Sequence, residues 1–372
     1  MDGFFALGSN GSGQLGLGHR EDVSVPKPIQ FVGDTPSDAI VKVAAGGNHT
    51  ILLAESGRAY WSGDASNGSC GVADSLADAK FRELVISSTQ QTRPITHVAC
   101  TWDSSVFVLQ DENGKTTQVY ICGSLASGSF QRPMDATGPK GGPLLISDFP
   151  PTGTEVRDIA AGFRHVIVVL DNGDVYGWGN GRKGQLGTLE EVDHPKGVVG
   201  KPRKIAEIDF HVAAAECCQH ATCLIAEPGD GRIMVLGADK WGLKSKAPME
   251  EPNWKTITAS WGGVYILKRD GKVVAWGRDD HGQLPPLGLP EIAIITAGSE
   301  HVLAVTEDGD VLAWGWGEHG NCGPSTEKFG DVKGRWNMLA SLKHLSEGSK
   351  ITGIGAGCAT SWINIVASGI FI

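Results

Sequence analysis

Nowhere in this sequence do lysine and arginine gather into a run or a tail. The formal charge is −10, from 42 acidic against 32 basic residues. A nucleic-acid binder normally turns a net basic surface toward the phosphate backbone. The balance here favours a protein partner instead, a basic or metal-bearing one. No Cys-x-x-Cys pair occurs among the eight cysteines, and Cys217, Cys218 and Cys223 are the single cluster. That spacing does not suit a zinc site, so the thiols read as reduced and mostly buried in an intracellular protein. No charged stretch followed by a long apolar run opens the chain, because Phe4-Phe5-Ala6-Leu7-Gly8 already reads as a strand, so no signal peptide is expected. The apolar segment 363–372 is too short to span a bilayer. The phosphate loop Gly-x-x-x-x-Gly-Lys-Ser/Thr is absent. So are the Gly-x-Ser-x-Gly elbow and the His-Glu-x-x-His motif, and the neighbours Glu318 and His319 alone define no site. We therefore expect no catalytic residue, no metal ligand and no cofactor.

What the sequence has in excess is glycine, 52 of 372 residues, about twice the ordinary ~7% share. No collagen-like triplet accounts for it, so the glycines serve turns and close backbone approaches. The excess resolves into a repeat. A short strand ending in Trp-Gly or a relative recurs seven times, closing at Gly8, Gly63, Gly123, Gly179, Gly237, Gly277 and Gly315. The steps are 55, 60, 56, 58, 40 and 38 residues, so the last two give the bare unit and the longer ones carry insertions. A second element recurs as often: an apolar strand, then Ala-Gly or a variant, often a His, then another apolar strand. It is clearest at Val43–His49, Ile159–His165 and Thr296–His301. Asn172-Gly173, Asp270-Gly271 and Asp308-Gly309 are hairpin dipeptides joining the two elements.

Each unit is then about four short antiparallel strands, a propeller blade. The expected fold is all-β: a single seven-bladed β-propeller domain over residues 1–372. The chain starts on a Trp-Gly-type strand, Phe4–Gly8, and ends on the complementary strands near Ile351–Ile365. Pairing the two removes open sheet edges, so both termini should share one blade. Segments 124–154 and 324–349 read as loop insertions, and 73–93 as the place for a short helix.

Gly8-Ser-Asn-Gly-Ser-Gly13-Gln14-Leu15-Gly16 and Gly179-Asn-Gly-Arg-Lys-Gly184-Gln185-Leu186-Gly187 resemble the signature of the regulator-of-chromosome-condensation repeat family, and Gly277–Leu284 is similar. A narrower set, Trp314–Pro324, Gly357–Trp362, the opening Gly8-Ser-Asn-Gly and Ala99–Asp103, is similar to the killer-toxin-insensitivity, or alpha-tubulin suppressor, branch. That likeness implies a non-catalytic protein in the cytoplasm and nucleus. It implies a heterodimer with the small CSL-type zinc protein, with no direct contact to nucleic acid or membrane. Through that partner it implies links to Elongator-dependent wobble-uridine modification of transfer RNA and to diphthamide synthesis on elongation factor 2. The alternative, implied by likeness to the founding member, is guanine-nucleotide exchange on a small GTPase.

Topology selects a face. Antiparallel strands alternate direction, so the Ala-Gly-x-x-His turns and the Gly-x-Asn-x-x-Gly loops lie at one end of every blade and form a crown. Trp102, Phe163 and Trp261 fall at one turn position in three blades, where the first blade has Gly47. Aromatics and arginine in exposed turns are the usual anchors of interfaces. The expected partner-binding residues are Trp102, Asp103, Trp261, Arg278, His281, Glu318 and His319, with Trp241 and Trp316 in the same loops. Trp61, Trp178, Trp276 and Trp314 belong to the strand motif and should be core. His49, His165, His220 and His301 are read as one repeat position making a structural hydrogen bond between blades.

Overall fold

The computed structural model describes residues 3–71, 78–86, 93–123, 142–190 and 195–366. Seven antiparallel sheets stand around an axis. Their innermost strands are Ile40–Ala45, Ile95–Cys100, Val156–Ala161, Val212–Cys217, Trp254–Ala259, Ile292–Ala297 and Lys350–Ala356, here numbered blades 1 to 7. Each inner strand touches the next, and the seventh touches the first, so the ring is closed. Helix is confined, among the described residues, to three-residue 3₁₀ turns such as Leu342–His344. No described helix is long and apolar enough to cross a membrane.

Ring closure follows the expected route. Strand Gly3–Gly8 pairs antiparallel with Thr360–Val366, with Gly3 opposite Ile365 and Gly8 opposite Thr360. The second strands His49–Ala54, His165–Leu170, Ala221–Ala226 and His301–Thr306 are buried at every residue. They sit mid-blade with a neighbouring blade on each face, which is why they read as continuous apolar runs rather than alternating ones. Burying each of their larger side chains contributes about 1.5–3 kcal/mol. The motif tryptophans Trp61, Trp178, Trp276 and Trp314 are 0–5% exposed, as expected of core.

The Trp-Gly ending has a steric cause. All seven closing glycines have φ between 100° and 123°, a region side chains avoid. At Gly277 a Cβ would lie 2.2 Å from the Gly262 carbonyl oxygen. The strand therefore ends where its backbone must press onto the preceding turn.

Two expectations are corrected. Segment 324–349 is not an insertion: it holds the eleven-residue strand Asp331–Ser341, the outer strand of blade 6. Its polar residues face solvent at a sheet edge, which hides the strand pattern. Blades 4 and 5 have three described strands rather than four. Of segment 124–154, residues 124–141 lie outside the described residues, and the remainder carries the two-residue outer strand Leu144–Leu145. The helix expected within 73–93 falls largely on 72–77 and 87–92, also outside the described residues. The part between holds the edge strand Arg82–Glu83.

Candidate protein-binding face

In six of the seven blades the turn after the inner strand is tied to the loop after the third strand by one repeated bond. The backbone N–H following the closing glycine donates to a turn carbonyl. The pairs are Asp64 to Asn48, Asn180 to Arg164, Ala238 to His220, Arg278 to Gly262, Trp316 to Glu300 and Ser9 to Ala359, at 2.8–3.0 Å. Turns and loops therefore share one end of the ring, as the topology requires.

One residue beyond those carbonyls lies a buried belt. His49 Nε2 is 2.9 Å from Ser105 Oγ, His165 Nε2 is 3.1 Å from Thr222 Oγ1, and His301 Nε2 is 2.8 Å from Ser361 Oγ. Each bond crosses to the next blade. The hydroxyls pass it on: Thr222 donates to the Gln185 carbonyl and Ser361 to that of Asn321. Burial pushes the imidazoles of His49 and His301 down to about 4 and that of His165 to about 3, so the belt is neutral. His220 does not belong to it. Its carbonyl stands in the Asn48 and Arg164 position, one residue early, and Ala221 takes the imidazole slot. In blade 5 the slot is Gly263, and the Tyr265 hydroxyl fills it, donating to Gln283 O at 3.0 Å.

Above the belt the repeat breaks down into single residues. At the position shared by Gly47, Trp102, Phe163, Gln219, Trp261 and Ser299, backbone bonds join neighbouring turns. They run from Gly47 N–H to Trp102 O, Trp102 to Phe163, Gln219 to Trp261, and Trp261 to Ser299. The three aromatics meet across the ring axis. Ring centroids are 5.1 Å apart for Trp102–Phe163, 5.7 Å for Phe163–Trp261 and 6.0 Å for Trp102–Trp261. They cap a cavity of about 170 Å³ lined by inner-strand residues including Lys42, Cys100, Glu216 and Thr258. Trp102 and Trp261 are thus half-buried against each other, not independent exposed anchors. Glu216 replaces the Ala, Thr or Gly of other blades there, and burial pushes its carboxyl up to about 7, with Lys42 opposing.

The remaining predicted residues continue outward from this cluster. Arg278 forks onto Asp280 at 2.6 and 2.8 Å and reaches Glu300 at 2.6 Å. Its guanidinium also lies 4.9 Å from the Trp241 ring centre. Buried Glu300 is completed by Gln283 Nε2 at 2.8 Å. His281 Nδ1 contacts Asp331 at 2.9 Å, and His319 Nδ1 contacts Asp22 at 2.8 Å. Both imidazoles flank Trp316, at 6.5 and 5.5 Å. Glu318 is exposed, and Asp103 is half-buried with its carbonyl near Asn67 Nδ2. The seven predicted residues therefore fall on one face in two groups, an axial one around Trp102 and Trp261 and a peripheral one around Trp316. Arg278 lies between them.

Sequence reasoning underrated Phe163, the third member of the cluster, and Trp241. It missed Arg164, Lys183 and Lys240 altogether, because isolated cations in glycine-rich loops give no pattern. All eight cysteines are free thiols, six of them buried. No group of three or more metal-ligating side chains is found among the described residues.

Comparison with known proteins places this architecture. The RCC1-like domain family matches residues 3–363. An RCC1 repeat-containing protein of Schizosaccharomyces pombe is 32% identical over 292 residues, 75% of this chain and 77% of that protein. The mouse secretion-regulating guanine nucleotide exchange factor is 31% identical over 302 residues, 75% of this chain but 60% of that protein. Among solved structures, Prp20p of Saccharomyces cerevisiae superposes with a TM-score of 0.79 at 20% identity, over 99% of this chain and 92% of that one. At that identity the likeness is one of fold.

Proposed function

The chain belongs to the RCC1-like domain family, and from that premise we propose that it is a non-catalytic docking protein whose crown face holds one protein partner. The observation that carries this reading is the Trp102–Phe163–Trp261 cluster closed over the axial cavity. Three large aromatics half-exposed at one point are where interfaces concentrate binding free energy. The rim around it, with Arg278 ion-paired to Glu300 and His319 hydrogen-bonded to Asp22, is polar in the manner of an interface margin. The partner we assign is the small CSL-type zinc protein, on the resemblance of Trp314–Pro324 and Ala99–Asp103. Through it the protein would serve Elongator-dependent wobble-uridine modification and diphthamide synthesis, in cytoplasm and nucleus. Titration calorimetry of the two purified proteins tests the assignment. One-to-one binding is expected, and absence of any heat at micromolar concentrations contradicts it.

A second reading is favoured by the mouse relative, which is named a nucleotide exchange factor. Exchange would require substoichiometric amounts of this protein to accelerate nucleotide release from a Ran-type GTPase. Our reading expects no acceleration, since it assigns the crown to a stable complex rather than to catalysis.

A further inference from the structure

The crown is divided by charge. Over blades 3 and 4 it carries exposed Arg164, Arg182, Lys183 and Lys240, with Asp239 as the neighbouring carboxylate in the Lys240 loop. Over blades 5 to 7 it carries exposed Asp279, Asp280, Glu318 and Asp22, with Lys333 bonded to the Asp280 carbonyl at 3.0 Å. In a chain of net charge −10, the cationic sector is the exception.

Its cations are also differently employed. Several basic residues elsewhere are neutralised by carboxylates, as Arg58 is by Glu83 and Arg157 by Glu227. Arg164, Lys183 and Lys240 form no ion pair with a described carboxylate. Arg164 lies instead over the Phe163 ring at 5.3 Å, and Lys240 over the Trp241 ring at 4.0 Å. The loop carrying Lys183 packs on blade 4, where Gly184 sits against the backbone of Gly237. His220, at the centre, feels both Lys183 and Lys240; after burial, their charges hold its imidazole below the ordinary range. Trp241 is itself held in place at a cost. It has φ 61°, in the left-handed region that side-chain-bearing residues disfavour. Its ring occupies space that Gly262 leaves open, where a Cβ would come within 2.9 Å.

Like charges that no ion pair neutralises, two of them over aromatic rings, are an arrangement completed by an anion. We propose that this sector receives a carboxylate-rich segment of the protein docked on the crown, with its acidic side chains on Arg164, Lys183 and Lys240 and its apolar stems on Phe163 and Trp241. The proposal rests on the crown being the docking face. A short segment fits better than a nucleic-acid strand. The cations span two blades only, and the carboxylates of Asp279 and Asp280 border them, so a longer polyanion would run onto repulsive ground.

The test uses the full chain and a fluorescently labelled deca-glutamate peptide, followed by anisotropy at low ionic strength. Saturable binding is expected, weakening as salt is raised. K183E/K240E should weaken it at least about tenfold. K115E/K272E makes the same change in net charge on the opposite hairpins and should leave it unchanged. No saturable binding, equal losses in both double variants, or tighter binding of a single-stranded RNA oligonucleotide than of the peptide overturns the proposal. Calorimetry with the zinc protein separates the two levels. If the zinc protein binds and K183E/K240E leaves its affinity intact, this sector is wrong and the docking face stands. If deca-glutamate binds as expected and the zinc protein does not, the partner is wrong and the sector stands.

Discussion

Two layers of the same seven turns follow opposite rules. In the lower layer one residue type recurs: His49, His165 and His301 are buried, neutral and bonded to a hydroxyl of the next blade. In the upper layer, one and two residues earlier, almost nothing recurs. Gly47, Trp102, Phe163, Gln219, Trp261 and Ser299 share a position and little chemistry. The lower layer bonds buried polar groups where water cannot reach, with an imidazole at three blade junctions and the Tyr265 hydroxyl in blade 5. The upper layer faces outward, and nothing in the ring constrains its side chains to agree. Repetition marks what closes the propeller, and departure from repetition marks what the propeller presents.

Acid should separate the layers most strongly. Above pH 6.5 the belt imidazoles are neutral in folded and unfolded chains alike, so they leave stability flat. As pH falls below 6.5 the unfolded imidazoles protonate first, while the native ones stay neutral down to about 4 or below. Stability is therefore lost across that window, by about 4 kcal/mol at pH 5.5 for the three together. Glu216 works in the opposite sense: its raised value disfavours the fold once ionised near pH 7 and gives part of that back on acidification. Urea denaturation at pH 7 and 5.5 should show the net loss. Equal midpoints would mean that the belt is not neutral.

Replacing one belt member probes the same layer at neutral pH. His165→Ala removes a fully buried ring and its bond to Thr222, and should cost about 3 kcal/mol. Arg164→Ala, one residue away but exposed, should cost less than about 0.5 kcal/mol in stability. Comparable losses from the two would erase the distinction between the layers. In the upper layer, Trp102→Ala breaks contacts with both Phe163 and Trp261, each worth about 0.5–1.5 kcal/mol. A modest drop in stability with a retained fold is expected by circular dichroism. Asp270→Ala, on the hairpins of the far face, touches only its own turn and Lys272 and should change stability least.

The same contrast explains what could be read in advance. Seven blades, terminal strand pairing and the gathering of turns and loops at one end of the ring were legible because Trp-Gly and Ala-Gly-x-x-His recur. The strand Asp331–Ser341 was not legible, because an outer strand of a blade is wet on its open side and loses the apolar signal. His220 misled because spacing in sequence is not register: only the carbonyl bond to Ala238 shows it one residue early. The site was legible as far as its aromatics, which are unusual in turns. That Trp102, Phe163 and Trp261 converge on the axis depends on ring closure, and the pairing of His281 with Asp331 joins residues 50 apart. No local pattern contains either.

Calorimetry with the zinc protein, repeated on Trp102→Ala, Trp261→Ala and Asp270→Ala, tests the central claim that the upper layer of the crown is the docking surface. Loss of an aromatic anchor costs ~2 kcal/mol or more, so each Trp variant should bind at least about 30-fold more weakly than the parent, and Asp270→Ala should bind like the parent. Parental affinity in both Trp variants, together with weakened binding in Asp270→Ala, would place the partner on the opposite face.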